Sequence, residues 1–138
     1  MEKKRSTAWS YIDSTVCVAH WPRSNVRDTF GEFFDDLAEH PSVDRMIVLA
    51  YDAAPTAQQR AVIQRWFQQT SAPCAVLTNS LLARGAVTAL AWFGITIRAF
   101  PRDEHNAALE FVGVPRRSWP ASVDTLQRLD REMLDQEA

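Results

Sequence analysis

Apolar and polar positions change their period several times along the chain, and each change predicts an element. Residues 8–13 (A-W-S-Y-I-D) partly alternate, and residues 15–21 (T-V-C-V-A-H-W) are mostly β-branched and apolar. With Asp13 and Ser14 between them they predict two strands joined by a tight turn, and a turn that short makes them antiparallel. Pro22 has no N–H to give a ladder and ends the second strand. Ser24 or Asn25 is then expected to cap a helix with Val26, Phe30, Phe33, Phe34 and Leu37 along one face of a helical period. Arg27, Asp28, Glu32, Asp35, Asp36 and Glu39 fill the other face, which is expected to be solvated.

His40-Pro41-Ser42 breaks that pattern, and residues 45–51 (R-M-I-V-L-A-Y) are apolar after the first, as in a strand covered on both faces. Pro55-Thr56 opens a second helix, whose apolar set is Val62, Ile63, Trp66 and Phe67. Residues 74–78 (C-A-V-L-T) predict a second buried strand, and Asn79 or Ser80 caps a third helix over residues 81–93. Arg84 and Thr88 are its only polar side chains, so it is expected to pack on more than one side before Gly94 ends it. Residues 95–100 alternate as an outer strand, and Asp103 is expected to cap a short helix through Phe111 that Gly113 closes. Residues 115–120 (P-R-R-S-W-P) read as a linker, and Ser122 as the cap of a last helix with Val123, Leu126, Leu129, Met133 and Leu134 in one stripe.

Strands alternating with helices favour right-handed crossovers. The fold class is therefore α/β: a mainly parallel sheet with one antiparallel edge strand, flanking helices and a C-terminal helix. Residues 1–114 make the α/β domain and residues 115–138 the linker and amphipathic helix. An isolated helix of that length is marginal in water, so its stripe must be buried. Docking on the chain's own sheet or helices, with Trp119 as an anchor, is favoured. A homodimer through this helix or the first edge strand is the rival.

Composition narrows the function classes. The chain has 138 residues, 46% hydrophobic and 23% charged, an ordinary single-domain globular composition. Seventeen acids against fifteen bases give a net charge of −2, without the basic excess of a nucleic-acid binder. No apolar run approaches the ~18 residues of a membrane span, and no signal-type apolar core follows Met1 to Arg5. Cys17 and Cys74 both sit in apolar runs, which suits buried thiols and a cytoplasmic location.

Candidate chemistry is sparse. Cys17 and, after five residues, Arg23-Ser24 have the spacing of a cysteine-phosphatase loop, with Cys17 as nucleophile and Arg23 as phosphate clamp. The intervening V-A-H-W-P has no glycine to form a phosphate nest, and an apolar setting raises a thiol's pKa. A buried cysteine and a solvated arginine are the simpler roles. His20, His40 and His105 stand alone, so no metal site is expected. No glycine-rich nucleotide motif occurs, so no cofactor is expected either. Two strand-to-helix loops remain, one with Asp52 and Thr56, the other with Asn79 and Ser80 and with Arg84 one turn into the helix. Carboxyl ends of strands in α/β sheets are where ligands and partners sit, and helix N-termini favour anions, phosphorylated side chains included. Simple capping by Thr56 and Ser80 is the alternative role.

The strand over residues 45–51, Asp52, the helix opening at Thr56, the run L-T-N-S-L-L-A-R-G-A-V-T-A-L-A-W-F over residues 77–93 and I-R-A-F over residues 97–100 resemble the STAS superfamily. That group includes the anti-sigma-factor antagonists and the SpoIIAA-like proteins, whose fold is shared with the CRAL-TRIO lipid carriers. The resemblance, over residues 8–113, implies a non-enzymatic domain of bacterial signalling that binds a protein partner. In the antagonists an Asp-Ser-Ser/Thr-Gly stretch carries the phosphorylated residue. Asp52-Ala53-Ala54-Pro55-Thr56 keeps the Asp and a nearby Thr but lacks the Ser and Gly, so partner binding rather than a phospho-switch is expected. The alternatives are the Cys17/Arg23 phosphatase and an apolar small-molecule or lipid-binding module.

Overall fold

A computed structural model of the chain describes residues 4–24 and 26–136. Five strands form one sheet: β1 (Thr7–Ile12), β2 (Thr15–His20), β3 (Arg45–Ala50), β4 (Cys74–Leu77) and β5 (Ile97–Phe100), side by side in chain order. The β1–β2 pair is antiparallel and the other pairs are parallel. Asp13, with φ +51°, makes the tight turn between β1 and β2, as short hairpins require. The helices are α1 (Phe30–Ala38), α2 (Ala57–Thr70), α3 (Leu81–Trp92), α4 (His105–Val112) and α5 (Trp119–Asp135).

A strand order that never reverses, linked by crossovers of one hand, puts every crossover helix on the same face. Side-chain alternation confirms it. Val16, Val18, Met46, Cys74 and Val76 point to α1, α2 and α3, where they meet Phe33, Leu37, Phe67, Val87 and Leu90. Cys17, Ala19, Ile47, Leu49, Ala75 and Leu77 point to the opposite face. There α4 and α5 cover them with Ala108, Leu109, Val112, Leu126, Leu129 and Met133. Leu126, Leu129 and Met133 of the α5 stripe are thus buried on the chain's own sheet, beside β1 and β2, with Val123 partly covered, whereas Leu134 is half exposed and lies off that contact.

Several expectations about element ends need correction. The first helix begins at Phe30, not near Val26. Residues 26–28 instead run extended beside residues 4–6, with Ser6 N–H donating to Arg27 O at 2.9 Å and Arg27 N–H to Lys4 O at 2.8 Å. Ser24 lies in a turn and Asn25 lies outside the described residues. Glu104 rather than Asp103 stands at the start of α4, with no side-chain cap. Residues 115–120 are not an extended linker: Arg116–Ser118 form a 3-10 turn and Trp119 and Pro120 open α5. Pro120 fits there because first-turn N–H groups have no helical partner to lose. Ser122 lies inside the helix, its hydroxyl donating to Ser118 O at 2.8 Å. Asp36 is also not merely solvated, since Trp9 Nε1 (2.8 Å) and the Tyr11 hydroxyl (2.5 Å) both donate to it.

Candidate functional site

The carboxyl ends of β2, β3, β4 and β5 and the loops that follow them form the edge to which the sequence points. Of the five candidate residues, Asp52, Asn79 and Ser80 line one open hollow there. The Ser80 hydroxyl donates to Asp52 Oδ1 at 2.7 Å and accepts from Ala83 N–H at 3.2 Å, so one side chain caps α3 and ties its loop to the loop after β3. Asn79 Oδ1 accepts from Arg102 N–H at 3.1 Å, joining the β5 exit to the same edge. Thr56 and Arg84 are not part of the hollow. Thr56 caps α2, accepting from Gln59 N–H at 3.1 Å while the Gln59 side chain accepts from Thr56 N–H at 3.0 Å, a reciprocal capping box. Arg84 is exposed on α3 and forms no ion pair among the described residues.

No local sequence pattern points to the hollow's other wall. The parallel register sets His20 beside Ala50, which brings the next residues, Trp21 and Tyr51, together. Their rings stack at 4.5 Å and 12°. The Arg23 guanidinium lies 4.0 Å over Trp21, and that of Arg102 lies 4.7 Å from the Tyr51 ring centre. Asp130 from α5 pairs with Arg102 at 2.5 Å and accepts from the Tyr51 hydroxyl. Burial first, and the Asp130 hydrogen bond second, raise the Tyr51 phenol. The hollow therefore presents aromatic and cationic groups that are already engaged with one another, not a poised acid or base.

Cys17 occupies the middle of β2 on the face that α5 covers, with no exposed surface. Burial pushes its thiol up to about 12. A thiol held that high is not a nucleophile near neutral pH, and Arg23 is turned to Trp21, its ring and its carbonyl oxygen (3.0 Å). Among the described residues no three His, Cys, Asp or Glu side chains come together as a metal-binding group. No helix there is long and apolar enough to cross a membrane.

The third helix departs most from expectation. Its apolar character nearly all round predicts packing on more than one side, yet only Ala83, Val87 and Leu90 are buried. Leu81 and Trp92 are 83% exposed, Phe93 65% and Leu82 54%. These large side chains stand at the two ends of the helix's outer face. Gly85, Ala86 and Ala89 lie between them, and Arg60 of α2 borders the resulting shallow groove. A Cβ on Gly85 would meet nothing within 4 Å. A mid-helix glycine costs up to about 1 kcal/mol against alanine, so nothing within the fold asks for it.

No family model, curated protein or solved structure matches the chain.

Proposed function

We propose that the chain is a STAS-like, non-catalytic regulatory module that binds a protein partner through the outer face of α3 and the adjoining loops with Asp52, Thr56, Asn79, Ser80 and Arg84. The observation that carries this reading is the exposure of four large apolar side chains around a groove of small ones. Apolar surface gathered in one place marks an interaction site far better than scattered exposed residues do. The occupant is an amphipathic helix of another protein with acidic residues beside its apolar stripe. Arg60 borders the groove and Arg84 is exposed one turn into α3, neither with a carboxylate partner among the described residues, and α2 and α3 begin nearby with the positive ends of their dipoles. A second copy docking α3 on α3 is the weaker fit, because α3 carries no acidic residue to meet Arg84.

A photo-crosslinking residue at Gly85 in growing host cells tests this, with the same residue at the exposed Glu110 of α4 as control. The expected adduct from position 85 maps to an acidic amphipathic helix of one other protein and is lost with Arg84→Glu. Crosslinks to the chain itself, or no adduct beyond that seen from position 110, overturn the reading.

A further inference from the structure

The groove on α3 continues beyond both ends of the helix. Leu81 and Leu82 line it and also the hollow at the carboxyl ends of the strands. At its other end Phe93 lines both the groove and a recess with Phe67, Gln68, Ser71 and Thr96. Together these recesses make one trough along the seam between α2 and α3, from one edge of the sheet to the other. From Leu82 to Phe93 the helix rises ~16 Å, about three turns.

The two ends of the trough differ in polarity. Helices α2 and α3 each follow a strand of one parallel run, so they point the same way and begin at the same edge of the sheet. Neither has an acidic residue in its first turn or a basic one in its last, so their own side chains leave both macrodipoles uncompensated. Where they begin stands Arg60, exposed, its guanidinium donating to Pro55 O at 3.2 Å and making no ion pair among the described residues. Asp52 bonds Ser80 and so offsets the amino end of α3, but not that of α2. At the far end α2 stops at Ser71, in a left-handed conformation, and α3 at Phe93. No residue lining the recess there carries a formal charge, and the last carbonyl groups of both helices make that end negative.

We infer that the partner helix lies along this trough antiparallel to α2 and α3, with its acidic residues in its carboxyl-terminal turn beside Arg60 and its amino-terminal turn over residues 92–96. The inference rests on the docking of a helix on α3. In the antiparallel pose the partner's own negative end and its acidic side chains act in the same sense at Arg60, and its positive end meets the carbonyl groups at the far end. In the parallel pose like ends of three helices meet at both edges, and the partner's dipole opposes its acids at Arg60. A trough of about three turns asks for an apolar stripe of the same length on the partner.

Photo-crosslinking phenylalanine analogues at positions 81 and 92 of the full chain, apolar like the exposed Leu81 and Trp92 they replace, read the orientation in growing host cells when the adducts are mapped by mass spectrometry. The helix captured from position 85 should react from position 81 through its carboxyl-terminal turn and from position 92 through its amino-terminal turn. Arg60→Glu, at an exposed position, should weaken binding of that partner about threefold or more. Changing the acids of the partner's carboxyl-terminal turn to lysine should restore binding, and the same change in its amino-terminal turn should not. Adducts in the reverse order, the same partner residues from both positions, or rescue from the amino-terminal turn overturn the antiparallel pose, while the adduct from position 85 still upholds the docking face. No partner adduct from position 85 removes the docking face and this inference with it.

Discussion

Two buried or half-buried side chains, Asp36 and His20, both weaken the fold as pH falls, each in its own window. Asp36 accepts from Tyr11 and Trp9 and so fastens α1 to the edge strand β1, while His40 stacks on Tyr11 at 4.0 Å. The Tyr11 hydroxyl, then the Trp9 N–H, hold the carboxyl below its usual value. A depressed acid stabilises the fold above its unfolded pKa of ~3.9, and that contribution is lost as pH falls through the folded value. Asp36→Ala should cost about 1–2 kcal/mol at pH 7, a modest figure for a half-exposed site. Urea titration should show the gap to wild type closing below pH ~4. His20 acts in the same direction at higher pH, because its lowered pKa means that the unfolded chain takes up a proton first. Its contribution is complete above the unfolded value of ~6.5 and fades as pH falls toward about 4. At ~1.4 kcal/mol per pKa unit, wild type should lose about 3 kcal/mol across that window. His20→Leu should stay flat over the same window, and a parallel decline of the two proteins would show that some other group titrates there.

At the scale of elements, what the sequence discloses is local. Thr56 and Ser80 cap the second and third helices as their positions suggest, and the strict alternation of Val16 to Ala19 and Met46 to Leu49 sorts side chains between the two faces. The misreadings come from long-range partners. Val26 shares the helical spacing of Phe30 and Phe33, yet residues 26–28 pair with residues 4–6, and the Thr29 hydroxyl bonds Thr7 instead of capping α1. The apolar circumference of α3 predicts burial, but none of the described residues covers its outer face, where Leu81, Leu82, Trp92 and Phe93 are exposed. Likewise the Asp52–Ser80 bond and the Trp21–Tyr51 stack follow from the parallel register of neighbouring strands, which no local pattern encodes. The last helix shows both sides. Its stripe is plain in the sequence, while its destination, the β1–β2 side of the sheet, is not. Leu126, Leu129 and Met133 are buried there over Cys17 and Ala19, and each such side chain contributes roughly 2 kcal/mol on burial. A chain ending at Val114 should therefore show no cooperative thermal transition by circular dichroism and should associate in light scattering. A folded monomer of that length would show that α5 is an accessory to the sheet.

Across the whole molecule the two faces of the sheet differ in how firmly they are held. Small residues, Ala8, Cys17, Ala19 and Ala75, let α4 and α5 approach closely, and Leu109, Leu126, Leu129 and Met133 are completely enclosed. On the other face α2 is 14 residues long but gives the core only Phe67, with Ile63 and Trp66 partly buried and a cavity of about 110 Å³ beneath. Opening a segment costs what its buried contacts are worth, so α2 should open well below the free energy of global unfolding. Native-state hydrogen exchange tests this directly. Amides of α5 and the central strands should exchange only with global unfolding, and those of α2 at least tenfold faster, which corresponds to ~1.4 kcal/mol less protection. The capping box at Thr56 slows fraying of the first turn, so the difference should be clearest from Val62 to Phe67. Equal protection in α2 and α5 would mean that both helical layers unfold as one unit.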